Sequence, residues 1–380
     1  MMGEGFLLRT PLLGKDSRFA GYLMAATGTG NTAPYRQLFA AIGADKSPGG
    51  LCVIEDTGAP FDELTEEIPQ GVTVSLPPSR ASRIGILKQH HVGTCVRVHS
   101  GLTDFPADLS AAEYVWLGLR VNESVKSVAK LSQRLPGKRI VGGVSTRDQF
   151  DDGREIGAHL FEGDWYRRIT TAPQKSVTPG QASVLELINL ARTEAPPAQI
   201  EQVLKRDATL SFRLLRYINS AGFGLSCEIQ SFRHAVSILG YQNLGRWLAL
   251  LLATSGHTSA APVLMREAAA RGRLTELVGE SFIAAEERDN LFIVGVFSML
   301  PSILQMPMDQ LVGQLNLSES VNDALTARSG LYGPILKLAE SVEVPESGAL
   351  EQAAGNMQLS AAQVNRLHLE ALAWANKLAA

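Results

Sequence analysis

The sequence predicts two regions of different class: an α/β region over residues 1–168 and an all-α region over residues 174–380. Three observations carry this division. In the first part, short apolar runs rich in β-branched and aromatic residues alternate with stretches of helix length, the signature of βαβ units and a mostly parallel sheet. A stretch without periodicity, RRITTAPQKSVTPGQAS (167–183), contains two prolines and several hydroxyl residues and reads as a linker. Beyond it, nearly every segment carries its apolar residues at helical spacing.

The strand-like runs are LCVI (51–54), GVTVSL (71–76), GTCVRVH (93–99), YVWLGLRV (114–121) and KRIVGGVS (138–145). Between them lie helix-like stretches: FDELTEEI (61–68), SRIGILKQHH (82–91), SVKSVAKLSQRL (124–135) and TRDQFDDGREIG (146–157). In the second part, Val184, Leu185, Leu187, Ile188 and Ala191 form one helical face. Pro196 and Pro197 open the next helix, with Ile200, Val203 and Leu204 on its apolar side. Helices follow to the end of the chain, among them PVLMREAAARGRLTELVGESF (262–282), LFIVGVFSMLPSILQ (291–305) and YGPILKLAESVE (332–343).

Composition narrows the class of function. At 380 residues, 45% apolar and 19% charged, the chain is an ordinary globular protein of two domains. A net charge of −3 leaves no footprint for general nucleic-acid binding. The longest apolar run, WLALLLA (247–253), is too short to span a bilayer, and the N-terminus lacks the apolar core of a signal peptide, so a cytoplasmic location is expected. Cys52, Cys95 and Cys227 are far apart and read as buried thiols in a reducing compartment.

Motif by motif, the chemistry is thin. GTGNT (28–32) lacks the third glycine of a dinucleotide loop and the Lys-Ser/Thr of a P-loop, and reads as a turn before a helix near Pro34. The seven histidines form no H-x-x-x-H and no His-Asp pair, so no metal centre is expected. The carboxylate pairs Glu66-Glu67, Asp151-Asp152 and Glu286-Glu287 read as solvated faces. SFRHAVSILGYQNLGRWLALLLA (231–253) has a helix-turn-helix outline around Gly240-Tyr241-Gln242-Asn243. Its second helix is apolar nearly all round, which marks a core helix rather than a DNA reader.

One stretch is distinctive. LLRYINSAGFGLSCEIQSFRHAVSILGYQNLGRWLALLLATS (214–255) resembles the HDOD domain of bacterial signalling proteins, whose core reads L-L-R-x-I-N-S, then F, then I-x-S-x-x-x-A-x-x-x-L-G. HDOD domains are similar to HD phosphohydrolases that have lost their metal ligands. On that resemblance Ser298 and Met299 occupy the His-Asp places, and an upstream ligand falls near Glu267. Methionine is no ligand for a hard metal, so no hydrolytic centre is implied. The N-terminal region resembles an EAL domain, the barrel that hydrolyses cyclic di-GMP, through LLRTPLLGKDSRFAGYLM (7–24), EYVWLGL (113–119) and GGVSTRDQFDDGREIGAHLFEGDWY (142–166). Its signature Glu-Ala-Leu falls on Leu23-Met24-Ala25. The lysine and aspartate of its V-K-I-D strand fall on Trp116 and Gly118, and the glutamates of its A-E-G-V-E ending on Gly142 and Ser145. The glutamine of F-Q-G becomes Glu162, and the acidic D-D-F segment corresponds to VRVHSG (96–101). A full (β/α)8 barrel typically needs ~250 residues, so a shortened, truncated or partly opened barrel is expected.

The resemblance therefore implies a degenerate EAL-like domain over 1–168 followed by an HDOD domain over 174–380. The expected function is bacterial signal transduction through protein partners, without enzymatic activity, catalytic residues, metal or cofactor. The alternative is an effector that binds cyclic di-GMP without cleaving it, disfavoured by the loss of polar residues at the matched positions. Asn219, Ser220, Phe223, Arg233 and Arg246 are the candidate binding residues around the vestigial pocket. Each also has a structural reading: capping for Asn219 and Ser220, core filling for Phe223, ion pairing for the arginines. Partner identity and oligomeric state are not encoded in any motif.

Overall fold

The structure is a computed structural model. It describes residues 5–28, 31–44, 47–101, 110–120, 123–134, 136–168, 177–206, 232–254, 260–315, 317–344 and 348–379. The chain divides into two compact units: residues 1–168 with 341–370, and residues 169–340 with 371–380.

The first unit is built on eight strands: β1 (Leu7–Gly14), β2 (Phe19–Ala26), β3 (Leu51–Glu55), β4 (Val72–Leu76), β5 (Gly93–His99), β6 (Tyr114–Gly118), β7 (Lys138–Val144) and β8 (Leu160–Gly163). They close into a barrel in sequence order. The strands from β2 to β8 pair in parallel, while β1 runs antiparallel to both β2 and β8. The barrel is thus complete, which corrects the expectation of a truncated or partly opened one. The economy lies in the connections. The helices α1 (Ala33–Gly43), α2 (Ile84–Gln89), α3 (Val125–Arg134) and α4 (Arg147–Glu155) are short, and β1 turns into β2 with no helix at all. The FDELTEEI stretch is a 3-10 turn (Ala59–Leu64) rather than an α-helix. α4 starts at a capping box, with Thr146 accepting from the Gln149 N–H and Gln149 returning the contact.

The barrel interior is filled by Leu12, Leu23, Val53, Cys95, Tyr114, Trp116 and Ile140, one or two residues from most strands. Strand alternation then places Leu8, Thr10 and Leu12 of β1 inward and Leu7, Arg9 and Pro11 outward.

Closure leaves one edge open. β8 covers only Leu12, Leu13 and Gly14 of β1, so the preceding residues have no strand on that side. Residues 341–370 fill the gap. The Arg9 N–H donates to the Val342 carbonyl at 2.8 Å, and the Leu7 N–H donates to Asn365 Oδ1 at 2.7 Å. His368 Nδ1 lies 3.2 Å from the Leu7 carbonyl. Pro11, next on the same edge, has no N–H to satisfy. The Arg9 side chain is buried with them: Nη2 donates to Glu343 Oε1 at 2.8 Å, and Nη1 to His368 Nε2 at 3.1 Å. Arg167 Nη1 donates to the other oxygen of Glu343 at 2.6 Å. Asn365 and His368 stand on the first half of α15 (Ala361–Ala379), while Val342 and Glu343 precede α14 (Ala349–Asn356). Residues 341–370 therefore group with the barrel, although the sequence places them in the second region of 174–380. Backbone groups of an open strand edge require partners, and this segment holds them.

The second unit is helical: α5 (Pro179–Arg192), α6 (Pro197–Arg206), α7 (Phe232–Thr254), α8 (Ala261–Gly279), α9 (Asp289–Phe297), α10 (Leu300–Leu304), α11 (Met308–Val312), α12 (Glu319–Ala327) and α13 (Gly333–Ser341) among the described residues. α8 is buried along almost its whole length and forms the centre. Gly272 of α8 meets Gly295 of α9 so closely that a Cβ on Gly295 would overlap the Gly272 backbone. α7 is broken at Gly240, whose φ of 74° lies in the left-handed region that favours glycine. Leu244, Leu248, Leu250 and Leu252 beyond that break are fully buried, as a core helix requires. No helix among the described residues is long and apolar enough to cross a membrane.

Two outcomes follow from the β1 clamp. Burial, and then the adjacent Arg9 guanidinium, push the His368 imidazole down to about 3. Its unfolded value is about 6.5, so the unfolded chain binds the proton more readily on acidification. This contribution is complete above about pH 6.5 and is lost as the pH falls toward 3, at a limiting slope of about 1.4 kcal/mol per pH unit. Denaturant titrations between pH 7 and 4 will show a flatter stability profile in His368→Gln than in the wild type. Arg9→Met leaves Glu343 buried with Arg167 alone and will cost about 3–5 kcal/mol in the same titration.

Candidate functional site at the barrel mouth

A cavity of about 600 Å³ opens at the C-terminal ends of the parallel strands. Ligand sites of β/α barrels are found at that end, because the strand-to-helix loops converge there. Its wall draws on β1 (Leu8, Thr10), β2 (Leu23, Ala25), the end of β3 (Glu55), β5 (Arg97), β6 (Trp116, Gly118), β7 (Gly142, Gly143) and β8 (Glu162), and on Glu351 of α14.

Arg97 is the central polar group. Its guanidinium lies 4.9 Å from the centroid of the Trp116 ring and pairs with Glu55 at 2.5 Å. Arg97 Nε is buried and has no hydrogen-bond partner. Trp116 is almost fully buried, and it has room because position 142 is glycine: a Cβ there would overlap the indole. Glu162 Oε2 accepts from the Gly143 N–H at 2.8 Å. Desolvation pushes the Glu162 carboxyl above the usual carboxylate range, partly offset by that N–H.

Five positions matched through the family resemblance, Leu23, Trp116, Gly118, Gly142 and Glu162, meet in this one cavity. The sequence marked them as losses, which obscured what took their place. Glu55 and Arg97 were missed as site residues, although each stands at or near the C-terminal end of a strand where a β/α barrel presents its functional groups. Among the described residues, no group of three or more His, Cys, Asp or Glu side chains is arranged to hold a metal ion.

The residues singled out in the helical unit fare differently. Asn219, Ser220 and Phe223 lie outside the described residues, as does the side chain of Arg233. Arg246 is described: it pairs with Glu276 at 2.7 Å and lies over Phe292 at 5.5 Å, an ion pair within the bundle. Ser298 accepts from Arg271 Nη1 at 2.8 Å and donates to the Gly295 carbonyl at 2.6 Å, while Met299 and Glu267 are buried. A guanidinium thus stands beside the residue that the resemblance sets in the histidine place.

Residues 181–300 match the family model described as the HDOD domain. The chain carries an HDOD domain. Two curated relatives extend the likeness. One is "Cyclic di-GMP phosphodiesterase CdgJ" of Vibrio cholerae, 27% identical over 62% of this chain and 55% of its own length. The other is the "Uncharacterized protein YuxH" of Bacillus subtilis, 26% identical over 62% of this chain and 58% of its own. The chain spans little more than half the length of these relatives. Among solved structures, a standalone EAL protein of Vibrio cholerae O395 bound to c-di-GMP covers 43% of this chain and 91% of its own, at 12% identity and a TM-score of 0.32. The Bacillus subtilis YKUI protein, with an EAL domain in complex with c-di-GMP and calcium, covers 62% and 72%, at 9% identity and a TM-score of 0.30.

CdgJ corrects the expectation that this chain is not an enzyme, since a relative 27% identical to it is named a phosphodiesterase. Substitution at the matched positions was the ground for that expectation. It records which side chains changed, whereas the mouth keeps Arg97 and the carboxylates of Glu55, Glu162 and Glu351.

The contact between Trp116 and Gly142 is directly testable. Gly142→Ala will destabilise the barrel by about 1–3 kcal/mol through overpacking. The cost will shrink in a Trp116→Leu background, where the indole is gone, and a double-mutant cycle read by chemical denaturation measures that coupling.

Proposed function

We propose that this protein works in cyclic di-GMP signalling, taking the cyclic dinucleotide at the barrel mouth, while the HDOD domain serves regulatory protein partners. The observation that carries the nucleotide reading is the cavity of about 600 Å³ with the Arg97 guanidinium held over Trp116 at its wall. That volume is in the range of small-molecule sites. A guanidinium fixed by an indole below and Glu55 beside it offers a planar, charged face to a phosphate or to a nucleobase. Glu55 and Glu162 supply acceptors of the kind that the donor edge of guanine requires. The names of CdgJ and of the c-di-GMP-bound EAL proteins support the choice of ligand.

Calorimetric titration of the full chain with cyclic di-GMP tests the reading. Binding in the micromolar range is expected, and Arg97→Ala should weaken it by about tenfold or more, the loss of a charge-assisted contact. Absence of heat from the wild type at several hundred micromolar nucleotide would sink the proposal. Chromatography of the same samples, with magnesium or manganese added, reads whether the bound ring is opened.

A further inference from the structure

The charges at the barrel mouth do not favour an anion as they stand. Among the described residues lining the cavity, Glu55, Glu162 and Glu351 bring three carboxyl groups, and Arg97 brings the one guanidinium. That guanidinium is already paired with Glu55 at 2.5 Å. A cyclic dinucleotide adds two phosphodiester charges. With every carboxyl ionised, ligand and wall would repel each other in a concave, poorly hydrated space where charges act strongly. A ligand of this class therefore needs a carboxyl group that can give up its charge.

Glu162 has the surroundings for that role. It stands on β8, and its Oε2 accepts from the Gly143 N–H at 2.8 Å. This contact engages one oxygen and leaves Oε1 as the atom for a proton. Desolvation is the largest influence on the group and moves it above the usual carboxylate range. The Gly143 N–H and the Arg97 guanidinium on β5 oppose that shift, while Glu55 at the end of β3 and Asp164 just beyond β8 add to it. Glu351 of α14 lines the same cavity. From β1, β6 and β7 the cavity receives Leu8, Thr10, Trp116, Gly142 and Gly143, none of them charged.

We propose that Glu162 is the proton-carrying group of the mouth: with a proton on Oε1 it donates a hydrogen bond to an acceptor oxygen of a phosphodiester ligand, and an ionised Glu162 regains that proton as the ligand enters. The inference rests on the nucleotide reading above and adds to it the residue that decides how well an anion is held at each pH. A neutral acid accepts at one oxygen and donates from the other, so glutamine at position 162 reproduces it without titrating. The ionised form offers acceptors only, and it faces the ligand's phosphates and Glu55 with the same sign of charge.

Calorimetric titration of the full chain with cyclic di-GMP between pH 6 and 8, in buffers of different ionisation enthalpy, measures both affinity and protons taken up. For the wild type the Kd should rise about tenfold or more over that range, with uptake approaching about one proton per nucleotide at the upper end. In Glu162→Gln the Kd should stay within about twofold and the uptake should vanish. A wild-type Kd that does not change with pH overturns the proposal, as does a Glu162→Gln protein that keeps the wild-type slope. A second arm needs no ligand. A carboxyl raised above its unfolded value contributes stability that is fully present below that value and is lost as the pH rises through the native one. Denaturant titrations between pH 5 and 8 should therefore show the wild type losing stability relative to Glu162→Gln, and a constant difference overturns the proton at Glu162. If neither protein binds nucleotide at any pH, the nucleotide reading fails alone, and the denaturant titrations still decide the proton.

Discussion

The open edge of β1 is the constraint around which the first unit is organised. A barrel closed by a four-residue β8 against an eight-residue β1 leaves backbone donors and acceptors without a strand partner. In most barrels a longer closing strand would solve this. Here Val342, Asn365 and His368 take the edge groups of Leu7 and Arg9, and Pro11 removes the need at the next place. The solution brings a buried arginine with it. Arg9 is tolerable inside because Glu343, Arg167 and His368 surround it with charge and hydrogen bonds, and because His368 stays neutral. A domain written into two separated stretches of chain is the consequence.

At the mouth, neighbouring residues depend on one another for space and support. Trp116 needs the empty space at Gly142, and Arg97 needs the indole of Trp116 as a platform. Each of these residues makes sense only with the others present. The result is a site whose charges, Glu55, Arg97, Glu162 and Glu351, stand on β3, β5, β8 and α14.

In the helical unit, Ser298 and Arg271 form a buried hydrogen bond, and Glu340 and Arg328 extend it to a partly exposed surface. A fixed guanidinium supplies positive charge there through the chain itself. Arg246, read from sequence as a binding residue, is drawn into the ion pair with Glu276.

The sequence by itself determined the two classes of structure, because local periodicity is a property of neighbouring residues: alternating β-branched runs cannot mimic the helical spacing of Val184, Leu187 and Ile188. It also determined the identity of the HDOD core, carried by contiguous residues, whereas the stretch read as a linker, 167–183, overlaps the start of α5 at Pro179. Strands β1, β2 and β8 were visible only through the family resemblance, since LLRTPLLG contains a proline and LFEG is too short to show a period. Tertiary structure alone decided that the barrel closes, that residues 341–370 belong to it, and that Glu55 and Arg97 meet over Trp116. Those facts join residues from 19 to more than three hundred positions apart. No local pattern encodes such pairings, which exist only once strand closure and the hydrogen-bond needs of β1 bring the partners together.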